Sequence, residues 1–169
     1  MRNLLFLAFS LLLFACAEST SMVEEVIAEV QQSYRPDKRV AIFEVEAQGK
    51  AGEVLLKGQT NIPEAREQLL KELSAIGINM VDSIDLLPHT DLGAETYAVV
   101  NLSACNIRSN PKHSAELATQ STLGTPLKIY STENDWYRIQ TPDGYLGWLD
   151  KDGFTAMDKA QYNIWKLRD

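Results

Sequence analysis

The chain has 169 residues, 45% hydrophobic and 23% charged, a globular composition that excludes collagen-like and disordered classes and leaves room for one or two small domains. Its net charge of −7, with no clustered Lys/Arg, argues against nucleic acid as a partner and against peripheral binding to anionic lipid.

Met1-Arg2-Asn3 and the apolar run Leu4 to Phe14 are too short for a permanent transmembrane helix and predict a secretory signal peptide over residues 1–15. Leu13-Phe14-Ala15-Cys16 resembles the lipobox of bacterial lipoproteins, although Phe14 is larger than that family usually places there. The resemblance implies that Cys16 is lipid-modified and that the protein is exported across the inner membrane, anchored to a membrane in the cell envelope by lipid alone. Removing residues 1–15 leaves 15 basic against 23 acidic side chains, or −8. Cys105 is then the one remaining thiol, so no disulfide forms within the mature monomer.

Residues 16–21 form a short polar tether. Met22, Val23, Val26, Ile27 and Val30 recur at helical spacing, predicting a helix over 22–33 that Arg35-Pro36 ends. Period-2 alternation predicts strands over 39–46 and 53–58 around a turn at 48–52. Thr60 or Asn61 is expected to cap the next helix, with Pro63 in its first turn, an apolar stripe of Leu69, Leu70, Leu73 and Ile76, and Gly77 at its end. Residues 80–87 predict a third strand, which Pro88 ends. The order helix, strand, strand, helix, strand over 22–88 resembles the small BON-type envelope domain.

After a polar joint at 89–93 the pattern over 96–157 becomes all-β, with five or six short strands, which predicts a small closed barrel. Its clearest part is a hairpin from Trp136 to Leu149 around Thr141-Pro142-Asp143-Gly144, where Pro pre-sets one turn dihedral and Gly supplies a positive φ. Gly147 in the return strand predicts a bend or the close approach of another backbone. A-C-N-I-R-S-N-P at 104–111, L-G-T-P-L-K-I at 123–129 and W-Y-R-I-Q…G-Y-L-G-W-L at 136–149 are similar, in order and spacing, to a bacterial SH3 domain. The fold class expected is therefore α+β: a BON-like αββαβ domain followed by an all-β SH3-like barrel. Residues 158–169 are expected to form a short C-terminal helix, with Asp158 near its start and Ala160, Ile164 and Trp165 on one side, or the start of a linker.

Together the two segments resemble the non-catalytic N-terminal region of NlpC-type cell-wall endopeptidases, whose papain-like Cys-His pair lies in a later domain. This chain ends at Asp169 and carries no matching constellation. A thiolate nucleophile needs a helix N-terminus or a nearby His; Cys105 has neither signal and is expected as a buried small hydrophobe. His89 and His113 lack ligand spacing and are expected at the surface. No catalytic residue, metal ligand or cofactor is assigned, and the chain as given is not expected to be an enzyme.

Trp136 and Trp148 are expected to anchor the hairpin against the Leu127/Ile129 strand. Tyr137 and Tyr145 are candidates for an exposed ligand groove, and Arg108 for a fork-shaped donor to a ligand carboxylate or, alternatively, for a surface ion pair with Asp143 or Asp150. The function expected is a lipid-anchored envelope module presenting its SH3 domain to cell-wall peptides or to an envelope protein. The alternative is the N-terminal part of an NlpC-type peptidoglycan endopeptidase.

Overall fold

A computed structural model describes residues 21–35, 37–50 and 53–167. The signal peptide, Cys16 and most of the tether lie outside the described residues. The chain divides into two compact units, one ending at Leu86 and one running from Leu87 that also takes in Asp37–Ala41.

In the first unit, helix α1 covers residues 21–34. Val23, Ile27 and Val30 are buried at its i, i+4, i+7 positions, whereas Met22 is 49% exposed and stands off the predicted stripe. Strand β1 (Phe43–Lys50) pairs antiparallel with β2 (Glu53–Thr60), and β2 pairs parallel with β3 (Met80–Leu86), giving the order β1-β2-β3. The parallel pair requires a crossover, which is helix α2 (Pro63–Ala75). Ala65, Leu69 and Leu73 of α2 meet Phe43, Val54, Leu56 and Ile84 in one core, each large aliphatic side chain contributing about 1.5–3 kcal/mol by leaving water. The helix-strand-strand-helix-strand order is the one the sequence pattern predicts.

Three local expectations are corrected. Strand β1 starts four residues later than the alternation suggested, because Asp37–Ala41 is incorporated into the second unit, where the Arg39 carbonyl accepts from Leu146 N–H at 2.7 Å. Neither Thr60 nor Asn61 caps α2. Its N-cap is Ile62, with no side-chain cap; the Thr60 hydroxyl donates to the Ile42 carbonyl and accepts from Ile62 N–H, and Asn61 Oδ1 accepts from Ile42 N–H. Both polar side chains fasten the entry to β1 instead of the helix. Ile76 is the C-cap and is 48% exposed, outside the stripe, with Gly77 taking the positive φ that follows.

The second unit holds seven strands: β4 (Tyr97–Val100), β5 (Ala104–Arg108), β6 (Leu117–Thr122), β7 (Pro126–Glu133), β8 (Trp136–Gln140), β9 (Leu146–Asp150) and β10 (Phe154–Met157). They run β10-β4-β7-β8-β9-β5-β6 and wrap one core of Ala98, Val100, Cys105, Ile107, Leu127, Ile129, Ile139, Leu149 and Phe154. β10 is a strand the sequence pattern did not single out. The hairpin forms as predicted, with Gly144 at φ +91° and its N–H bonded to the Thr141 carbonyl at 2.9 Å. Gly147 is a close-approach position: a Cβ there would overlap Ile107 Cγ2 and stand 3.0 Å from the Arg108 carbonyl oxygen. The unit closes with helix α3 (Lys159–Lys166), started by a capping box in which Asp158 Oδ1 accepts from Gln161 N–H and Gln161 Oε1 accepts from Asp158 N–H.

Candidate functional site

Strand pairing decides where the sequence-selected residues fall. Tyr137 lies opposite Leu149 and shares the inward face with Ile139; its ring meets Phe154 edge-on at 5.0 Å, so it lines the core rim. Arg108 lies opposite Trp148, on the outward face, and its Nη1 donates to the Ala115 carbonyl at 3.1 Å, fastening the loop between β5 and β6. Tyr145 is half-buried at the hairpin tip, with the Arg39 guanidinium 5.9 Å from its ring centre. Tyr137 and Arg108 thus project from opposite faces of the sheet.

The tryptophans also depart from expectation. Neither is part of the core that contains Leu127 and Ile129. Trp136 is buried with its ring edge-on to His113 at 5.0 Å, and Trp148 is half-buried with Arg138 at 6.0 Å from its ring centre. Aliphatic residues fill this narrow core, and the indoles cover its outside. His113 is exposed, its Nε2 3.7 Å from Asp150. His89 is half-buried instead of exposed, and its backbone N–H donates to the Tyr130 carbonyl at 2.8 Å.

Cys105 is buried in the core, and burial pushes its thiol up, against a smaller lowering by its backbone hydrogen bond with Ser121. A protonated buried thiol is a packing group, not a nucleophile. Among the described residues no three His, Cys, Asp or Glu side chains come together to hold a metal ion.

What the register does assemble is a groove. Tyr97 of β4, Lys128 of β7 and Gln140 of β8 are direct cross-strand partners and form one outward row, since their neighbours Ala98, Leu127 and Ile139 point into the core. Tyr162 of α3 stacks on Tyr97 with ring centres 4.8 Å apart, and Trp165 stacks on Tyr162 at 5.8 Å. Tyr97, Tyr162, Pro126 at the start of β7, and Thr141, Pro142 and Gly144 of the hairpin turn line an open cleft of about 390 Å³, near the small end of ligand sites, which span about 300–1,000 Å³. Gln140 is committed to the scaffold: its Oε1 accepts from the Tyr130 hydroxyl, and its Nε2 donates to the carbonyls of Val40 and Gly144, all at 2.8 Å. Among the described residues, none that lines the cleft is acidic, and Lys128 is the one charged residue. Arg108, Tyr137 and Tyr145 do not line this cleft. Nothing local marks it in the sequence, because its walls are drawn from residues 97, 128, 140 and 162, which only strand pairing and helix docking bring together.

Seven strands of four to eight residues around one largely aliphatic core, with an aromatic cleft on the outside, define a small β-barrel of the SH3 class. Residues 107–154 match the family model described as the bacterial dipeptidyl-peptidase Sh3 domain, so the second unit contains a bacterial SH3 domain. Tyr97 and Tyr162 lie outside the matched residues, and Lys128, Gln140 and Pro142 lie within them. Two solved structures, of NlpC2 and NlpC1 from Trichomonas vaginalis, are similar over 34% of this chain at 20% identity, with TM-scores of 0.32 and 0.31. This chain covers 22% and 21% of those two chains, about a fifth of their length. No curated protein matches the chain.

Proposed function

We propose that the protein is a lipid-anchored module of the bacterial cell envelope whose SH3 domain binds cell-wall peptides in the cleft between α3 and the β7/β8 strands. The observation that carries the reading is the coincidence, on one barrel, of the match to a peptidase-associated SH3 model with an aromatic cleft of small-ligand size. Tyr145, next in sequence to the cleft-lining Gly144, is a flanking contact in this reading, and Arg108 remains a candidate carboxylate donor on the outward face. The first unit serves as a BON-type envelope domain, a reading supported by its element order. Cys16 carries the acyl chains, which place the protein at a membrane after export. No helix among the described residues is long and apolar enough to cross a membrane.

Two measurements test this. The full chain is expected to retain soluble wall stem peptides on a resin, and retention of none of them removes the wall from the reading. Labelled fatty acid is expected to enter the wild type and not Cys16→Ala, which leaves the membrane fraction; several acyl chains anchor firmly where one does not. The same family match favours a second reading, in which this chain is the non-catalytic N-terminal part of an NlpC-type endopeptidase. An open coding frame beyond Asp169 with a Cys and His constellation decides for it.

A further inference from the structure

We infer that the cleft beneath α3 reads a free carboxylate on a short peptide, that Lys128 is the residue that reads it, and that α3 is a docked wall which the ligand moves.

The charge distribution points to the carboxylate. The cleft belongs to a chain of net charge −7, yet among the described residues its lining contains one ammonium and no carboxylate. An ammonium flanked by Tyr97 and by a Gln140 whose amide is already bonded on both ends has no anionic neighbour among the described residues of the cleft. Pro126 and Pro142 bring apolar rings and no N–H donor, and Gln140 has none to spare. A ligand therefore finds one charged contact, the ammonium, beside the ring faces and hydroxyls of Tyr97 and Tyr162. The complementary molecule has an apolar or amide body that lies on Tyr97 and Tyr162 and one carboxylate within reach of Lys128 Nζ.

The packing of α3 makes it the wall that moves. None of its residues is buried; it packs on β4 and β10, and its one ring stack with a strand is Tyr162 on Tyr97. Eight residues are too few to hold a helix without support, even with the capping box that Asp158 and Gln161 provide. The position of Tyr162 thus depends in part on the Tyr97 ring contact, which a bound peptide shares. Trp165, stacked on Tyr162, reports that change.

This inference rests on the reading of the second unit as a peptide-binding module but does not require the peptide to come from the wall, and the test separates the two. The full chain is titrated with the stem tripeptide L-alanyl-γ-D-glutamyl-L-lysine, with the same tripeptide fully amidated, and with tri-L-alanine as its free acid and its amide. Binding is followed by calorimetry and by tryptophan emission, with Trp165→Phe assigning the optical change to α3. Free acids are expected to bind at least about tenfold more tightly than amides, the size of one charge-assisted hydrogen bond, and Lys128→Gln is expected to abolish that preference. Lys128 is exposed, so this variant keeps the fold. Tyr162→Ala is expected to weaken acids and amides alike. If acids and amides bind equally, or Lys128→Gln keeps the preference, the carboxylate assignment is overturned while the wall reading stands. If only tri-alanine binds, with the preference intact, the wall reading falls and the inference stands. If neither peptide binds, the inference falls. An emission change that survives Trp165→Phe overturns the moving wall.

Discussion

The two units divide the chain's charge and its aromatic residues in opposite directions. The first has 6 basic against 12 acidic side chains, or −6, and the second has 10 against 11, or −1. All three tryptophans and five of the six tyrosines belong to the second. Both cores are nevertheless aliphatic: Phe43 is the one aromatic residue in the first core cluster and Phe154 the one in the second. The remaining rings of the second unit are therefore not needed to fill its centre. Tyr97, Tyr145, Trp148, Tyr162 and Trp165 stay half-buried at its surface, where flat amphipathic rings are suited to contacting ligands. An aromatic excess over what the core holds, with little net charge, distinguishes the second unit from its acidic companion.

The comparison breaks most sharply at Gly147. Replacing it with Val drives a branched side chain into Ile107 and the Arg108 carbonyl, at a cost of about 3 kcal/mol or more, at or above the upper end for overpacking. Tryptophan emission, which reports the second unit alone, is expected to shift to that of unfolded protein at a much lower temperature, while the far-ultraviolet signal of α1 and α2 persists. Unchanged melting would make Gly147 an ordinary strand position.

The reciprocal experiment is Leu69→Ala, at a fully buried position of the first core. A cavity there costs about 3 kcal/mol, and the helical signal is expected to melt earlier with the tryptophan signal unmoved. If either variant melts both signals together, the two units fold as one.

The smallest effect is a pH dependence confined to the second unit. Burial raises the folded Cys105 thiol above its unfolded value, which is about 8.5. The stabilisation is therefore fully present below about pH 8.5 and is lost as pH rises through the folded value. Urea midpoints followed by tryptophan emission are expected to decline more steeply in this range for the wild type than for Cys105→Ala. Equal slopes would place the thiol in contact with water.

The SH3 motifs, the hairpin and the helix, strand, strand, helix, strand order were legible because each depends on neighbours a few residues away. Pro142 and Gly144 set turn dihedrals, Leu69, Leu70 and Leu73 recur at helical spacing, and Asp158 caps α3 from three residues before Gln161. Even locally, one kind of signal misled: Thr60 and Asn61 are good caps by type, but a polar side chain beside a helix start can bond any backbone group within reach, and here the nearest groups belong to Ile42 and Ile62. The exclusion of Tyr137 from an exposed groove was missed for a related reason. Alternation says that residues 137 and 139 share a face, but which face is inward depends on the partner strand.

By itself, then, the sequence determined the element types apart from β10, the barrel family and the export and anchoring expectations, all properties of contiguous residues. Tertiary structure alone decided the cleft. Tyr97 meets Lys128 and Gln140 through the pairing of β4, β7 and β8, and Tyr162 joins them through helix docking, across as many as 65 positions from residue 97 to residue 162. Register over such separations is selected by the whole buried core, because a slip of one residue would turn Leu127 and Ile139 out to water, and no short stretch of sequence contains that information.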